Sequence, residues 1–297
     1  MIININYEVH SISDVYEEYV FMSDYRTSKS EIGICKYCGT KDKNKFKSKA
    51  HIIPEFTGNK EWFCLNECDD CNNIFSNYEY SLKNFGAFKN SHLPIKGKKR
   101  FPKYVDGHHG FTIQHREDDS LLMSAKEKGK FLEIEENRVK ITSLTMPFVP
   151  LNVYKCLTKF AFSLMEKKDF IKFNSSIPWL MDKKMMTKPM IPNTMLFNPN
   201  QKPLRKPIAL LLKKKISYNS PEFSLIFIWG FYIFQIFPPN NNDDEQLDYS
   251  NLRLPILPDF VTKEKDDKFG LAHFNMNSLN RIQTLEKVNF GLKRGKH

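Results

Sequence analysis

Apolar residues fall along this chain in two rhythms, and the places where the rhythm changes predict its elements. Near the start, alternation predicts a strand over residues 2–9, and Val15, Tyr19 and Met22 at helical spacing predict a helix over 14–22. Residues 62–65 read as a short strand. A helix then starts at Asp69 or Asp70, where carboxylates suit the positive end of the helix dipole. The stretch 84–88, centred on Gly86, reads as a turn. From 110 to 141 short alternating segments predict a β-meander with a hairpin turn at Glu136 and Asn137.

The second half changes rhythm again. Val153, Leu157, Phe160 and Leu164 share one helical face, so a helix capped by Asn152 and reaching about residue 166 is expected, with a further helical piece over 168–181. Residues 181–207 hold five prolines and five methionines without period and read as irregular. Strands are expected over 208–216, 222–237 and 252–260. Residues 224–237 are the one stretch apolar enough to raise a membrane span. They are interrupted by Gly230 and Gln235 and fall short of the ~20 residues that a spanning helix needs. A buried strand, or two strands broken at Gly230, is the expectation, with no membrane partner. No signal-peptide pattern opens the chain, so the expected location is the cytoplasm.

The implied class is α+β, divided as 1–32, an N-terminal strand and helix; 33–105, a cysteine-bearing module; 106–146, the meander; and 147–297, a C-terminal α+β region. Neither an internal repeat, a Gly-rich nucleotide loop nor a coiled-coil heptad is present. The last region therefore shows its class and not its role; self-association or a regulatory partner are the roles left open for it.

Charge narrows the partner. The chain carries a net +11, and between Lys29 and Lys103 it has 15 lysines and arginines against 8 acidic residues. A polyanion is the partner this favours, and the excess is concentrated in the quarter that holds most of the cysteines. Cys35 and Cys38 form one Cys-x-x-Cys pair, and Cys68 and Cys71 form another after 29 intervening residues. Two such pairs suit a closed tetrahedral zinc site, with four unrelated buried thiols or two disulfides as the alternatives. Cys64, four residues before Cys68, reads as a buried free thiol with a substitute zinc ligand as its alternative, and Cys156 reads as core.

Lys41, Lys43, Lys45, Lys47, Lys49 and His51 occupy every second position. In an extended segment they would leave one face together and lead a phosphate backbone towards an imidazole; a solvated lysine-rich loop is the other reading. Ile52, Ile53 and Pro54 would anchor His51. A second cationic cluster, Lys96, Lys98, Lys99 and Arg100 around Gly97, suits phosphate contact or a solvated turn. His92, His108 and His109 lack ligand spacing and read as loop residues.

Strand, loop, strand and helix, with a histidine on the first strand and Asn72 early in the helix, make a ββα unit. The run Cys35-Lys-Tyr-Cys38, Ala50-His51-Ile52-Ile53-Pro54-Glu55 and Cys68-Asp-Asp-Cys71-Asn72-Asn73 resembles the HNH endonucleases of the His-Me finger, or ββα-metal, superfamily. With residues 96–104 it is similar to a bacterial HNH subgroup, over about residues 33–104. The resemblance implies a zinc-stabilised ββα-metal module in which Cys35, Cys38, Cys68 and Cys71 hold structural Zn²⁺ and His51 is the general base. Asn72 would help to hold a catalytic Mg²⁺ or Mn²⁺. The implied activity is hydrolysis of phosphodiester bonds in DNA with little sequence reading, in defence against foreign DNA or in a mobile element. Many HNH sites carry a carboxylate immediately before the histidine, where this chain has Ala50. Glu55 is then the candidate ligand and Glu79 the candidate orienting group, each with an ordinary surface carboxylate as its alternative. Lys45, Lys47, Lys49, Lys96, Lys98, Lys99 and Arg100 would meet the nucleic acid. Two further readings stay open: a zinc-ribbon nucleic-acid-binding protein without catalysis, which Ala50 favours, and a nuclease acting on RNA.

Overall fold

The apolar run at 224–237 folds as a hairpin that breaks at Gly230, as its sequence suggested. Gly230 has φ 60, which favours a residue without Cβ. The computed structural model describes residues 5–6, 12–26, 31–97, 100–107, 110–126, 131–135, 138–182, 193–197, 204–215, 218–239, 241, 244, 247–248, 252–253, 270–274 and 276–291.

In chain order the elements are β1 (Ile5–Asn6), α1 (Ile12–Val15), β2 (Tyr16–Phe21), β3 (Ala50–His51), β4 (Phe63–Cys64) and α2 (Asp69–Asn90). Next come β5 (Lys103–Asp106), β6 (Phe111–His115), β7 (Leu121–Ala125), β8 (Leu132–Ile134) and β9 (Arg138–Leu144). Three helices follow: α3 (Pro150–Leu164), α4 (Lys167–Phe170) and α5 (Ile177–Met181). The remaining strands are β10 (Asn193–Phe197), β11 (Leu204–Lys214), β12 (Phe223–Gly230), β13 (Tyr232–Ile236), β14 (Leu252–Arg253), β15 (Gly270–Phe274) and β16 (Leu285–Gly291). The class is α+β.

The largest sheet has six strands in the order β15-β10-β13-β12-β11-β2. Its alternation decides the architecture. Leu211, Leu225, Phe227 and Phe234 face one way, into a core shared with α2, α3 and the cysteine module, whereas Leu210, Leu212, Ile226 and Ile233 face a second core with α1. Burial on both faces is why the sequence there is continuously apolar rather than alternating. Against this sheet lies α3, buried on every side except at Asn152 and enclosing even Lys155 and Lys159. A third core, including Phe88, Tyr104, Ile113 and Ile141, joins α2 to the two small sheets β5-β6-β7 and β16-β9-β8.

Several expectations change. The helix expected over 14–22 is only α1; from Tyr16 the chain is strand, because its β-forming residues pair with the edge of β11. That pairing places the N-terminal segment on the large sheet. No turn interrupts 84–88, and α2 continues to Asn90. Gly86 is there for packing: a Cβ on it would lie 2.3 Å from Cζ3 of Trp229. Asn152 does not cap α3; Val149 precedes it and Pro150, whose fixed φ suits a first helical position, begins it. The meander divides between two sheets, since β9 takes β16 as a neighbour. Its turn at 136–137 lies outside the described residues. The piece over 168–181 is α4, a 3₁₀ segment and α5 in succession. The irregular stretch 181–207 contains β10, and of the strand expected over 252–260 only Leu252 and Arg253 are described. The strand expected over 2–9 is described only at β1. No described helix is long and apolar enough to cross a membrane.

Gly86 offers a test of opposite signs. Helix propensity alone predicts that Gly86→Ala stabilises by about 1 kcal/mol, whereas the clash with the Trp229 ring predicts a net loss of about 1–3 kcal/mol. Thermal unfolding should show a lower Tm for the variant, and a higher Tm would contradict this packing.

Candidate functional site

The first cysteine pair sits on a tight turn. The Gly39 N–H donates to the Cys35 carbonyl at 2.9 Å, the Cys35 N–H donates to the Thr40 carbonyl at 2.9 Å, and Gly39 takes φ 71. Cys68 precedes the first residue of α2, and Cys71 lies in its first turn. The two pairs meet there. The sulfurs of Cys35 and Cys71 are 3.6 Å apart, as are those of Cys38 and Cys68, and all four lie within 4.8 Å of one another. A tetrahedral ion with Zn–S bonds of ~2.3 Å would hold its sulfurs ~3.8 Å apart, so the cage fits zinc. All six described cysteines are free thiols.

Electrostatics agree with a cation requirement. The hydrogen bond between the Cys35 and Cys71 sulfurs pulls the Cys35 thiol well down and, together with burial, holds Cys71 well above the usual thiol range. Burial pushes Cys68 up to about 11. One thiolate thus suppresses its neighbours, and four together require a compensating positive charge. Cys64 stays apart: it donates to Asn66 Oδ1 at 3.1 Å, and burial raises it to about 12.

Beside the cage, β3 pairs antiparallel with β4, Ala50 opposite Cys64 and His51 opposite Phe63. Both strands lead into α2 through the knuckle. The carboxylate of Asp69, at the start of α2, accepts from the backbone N–H groups of Lys47 and Ser48 at 3.0 Å each. This fastens the segment before β3 to the helix N-terminus. The His51 ring is half-buried and tilted against Phe63, with centroids 4.6 Å apart.

A buried hold on the His51 backbone comes from a residue that sequence reasoning missed. Lys159 of α3, 1% exposed, donates from Nζ to the His51 carbonyl at 2.6 Å and to the Ile52 carbonyl at 3.4 Å. It also lies 3.2 Å from Oε2 of Glu67, itself buried one residue before Cys68. Burial pushes Glu67 up to about 7 against the pull of Lys159. Two lysines four residues apart inside an otherwise apolar helical run were the signal available for this.

The remaining expected residues are dispersed. Asn72 is half-buried in the first turn of α2, directly after Cys71. Glu55 begins a 3₁₀ turn, Glu55–Thr57. Glu79 lies further along α2, where burial raises its pKa and Lys159 opposes the shift. Among the described residues the four cysteines are the only group of three or more His, Cys, Asp or Glu side chains close enough to share a metal. His51, Glu55 and Glu79 form no such group.

The lysine row does not form one extended face. Asp42 accepts from the Asn44 N–H and starts a 3₁₀ turn at Lys43–Lys45. Lys45 pairs with Asp70 at 2.8 Å, while Lys47 and Lys49 are exposed, Lys49 over the Phe63 ring. Lys96 pairs with Glu117 at 2.6 Å, and Arg100 is exposed. Lys98, Lys99, His108 and His109 lie outside the described residues.

Two outcomes follow. Metal analysis of the purified protein should find about one zinc, and its removal by a chelator should lower Tm and loosen the structure around α2. Lys159→Met should cost about 3–5 kcal/mol by leaving Glu67 buried without its partner, and Lys159→Met/Glu67→Gln should recover much of that loss in denaturant melts. Equal losses in the single and double variants would contradict the ion pair. Compared with known proteins, the chain matches no protein-family model, no curated protein and no solved structure.

Proposed function

We propose that this protein is an HNH-type endonuclease that hydrolyses phosphodiester bonds in DNA, with His51 as general base. One observation carries the reading: His51 stands on the first strand of a short hairpin, the segment just before it is fastened to the N-terminus of α2 through Asp69, and the four cysteines from either side of that hairpin meet in one cluster. In this reading the imidazole takes a proton from the water that attacks phosphorus, as a positioned general base. The Lys159 contact to the His51 carbonyl fixes the strand, and Phe63 limits the ring on one side. Lys47, Lys49 and Arg100 are exposed cations available to the phosphate backbone.

Dependence on Mg²⁺ or Mn²⁺ belongs to the reading through the HNH resemblance. The protein donors do not by themselves complete such a site: Asn72 offers one amide oxygen, and among the described residues His51 belongs to no group of three or more His, Cys, Asp or Glu side chains close enough to share a metal. Mg²⁺ prefers oxygen ligands and retains several waters. The same facts favour a second reading, a zinc-held nucleic-acid-binding protein without catalysis, in which Ala50, 2% exposed and paired with Cys64, stands where a carboxylate ligand is absent.

Cleavage of plasmid DNA separates the two. The nuclease reading expects cutting with Mg²⁺ or Mn²⁺ that EDTA abolishes, and a loss of about 10²–10⁴-fold in His51→Ala with zinc content and Tm retained. Parallel single-stranded DNA and RNA substrates define the polymer. Salt-sensitive DNA binding without cleavage under any metal would overturn the nuclease and support the second reading.

A further inference from the structure

A groove of about 510 Å³ lies beside the β3-β4 hairpin, with Lys49, Trp62, Phe63 and Leu65 on the hairpin side and Tyr25 and Arg26, which follow β2, on the other. Strand alternation decides which side chains reach it. Cys64, 1% exposed, turns inward with Ala50 opposite, so Phe63 turns outward with its partner His51, and Leu65 is 42% exposed.

Phe63 packs into none of the three apolar cores formed by the described residues. It touches the His51 ring, 4.6 Å between centroids, and Lys49 Nζ lies 5.9 Å from its ring. Tyr25 and Trp62 are half-buried and backed by the largest core, which holds their rings in the wall. Arg26 and Lys49 are exposed, and Arg26 is anchored by Nη1 donating to the carbonyls of Ser23 at 2.7 Å and Tyr25 at 2.6 Å. The carboxylate of Glu61 in the same wall lies 3.4 Å from Nζ of Lys206. Cations and half-exposed rings therefore share one groove, and one of those rings touches the candidate general base.

We propose that this groove takes unstacked bases, so that the polymer presented to His51 is a single strand, or a duplex where it opens. Cations alone suit any phosphate backbone. Aromatic rings add a contact that only a single strand can use: in a duplex the base faces are stacked inside, whereas splayed bases stack on a ring whatever their identity. Little sequence reading follows from that tolerance. The contact between Phe63 and His51 sets a base held in the groove beside the phosphate to be cut. The inference rests on the nuclease reading for the place of the cut, but binding in the groove does not require catalysis.

Fluorescence anisotropy with the purified whole chain, without added Mg²⁺, tests it. The probes are a mixed-sequence single-stranded DNA, its duplex, the matching RNA strand and the same DNA backbone without bases. A single strand should bind about tenfold or more tighter than the duplex and the base-free backbone; if only the RNA strand does so, RNA is the polymer that the groove takes. Phe63→Leu, which keeps an apolar side chain, should weaken single-strand binding about tenfold at unchanged Tm and leave duplex binding as it was, and Phe63→Trp should preserve the preference. The proposal is overturned if the duplex or the base-free backbone binds as tightly as both single strands, or if Phe63→Leu leaves the preference intact. Single-strand preference without cutting under Mg²⁺ or Mn²⁺ would sink the nuclease reading and leave the groove standing; cutting without that preference would do the reverse.

Discussion

The buried ammonium of Lys159 is the constraint on which the cysteine module's position depends. A charge this deep in the protein is tolerated only when paired and hydrogen-bonded. Glu67 supplies the counter-charge, the carbonyls of His51 and Ile52 accept its protons, and the Phe75 ring lies 5.8 Å from Nζ. These partners come from the strand that bears His51, from the loop before Cys68 and from α2. A single side chain of α3 therefore ties together the His51 strand, the loop before Cys68 and α2, and the second half of the chain helps to hold the first in place. Lys155, one helical turn earlier, works in the same way on another neighbour, donating to the Trp179 carbonyl at 2.7 Å.

The arrangement distributes rigidity unevenly. Around the cysteines the backbone is fixed by turns and by the start of a helix. The lysine-bearing segment at 41–49 is held chiefly by Asp69 and by surface ion pairs such as Lys45 with Asp70. Exposed pairs contribute about 0–1 kcal/mol, so a phosphate can replace the carboxylate at little cost. The anionic partner favoured by the overall charge would then meet cations whose present partners are easily exchanged.

The cysteine spacing was legible because two short turns aimed at one point leave few alternatives, and the hairpin and the start of α2 followed from strand composition and from Asp69. The hairpin break at Gly230 was also legible, since a run apolar on both faces must reverse somewhere. What the sequence concealed depends on distant partners. Gly86 looked like a turn because the ring of Trp229, 143 positions away in the chain, cannot be inferred locally. Residues 16–21 carried a helical spacing, yet the open edge of β11 decided their state. Lys159 looked like one more positive charge in a basic protein; only the fold shows it enclosed.

In the proposed nuclease, His51 moves a proton during cleavage and does more than pack against Phe63. Chemical rescue measures this directly, using His51→Gly and added imidazole in a plasmid-cleavage assay. The variant should be nearly inactive at unchanged zinc content, and free imidazole should restore cutting in proportion to its unprotonated fraction. A His51→Gly protein that cuts as fast as the wild type, with or without imidazole, would contradict this role.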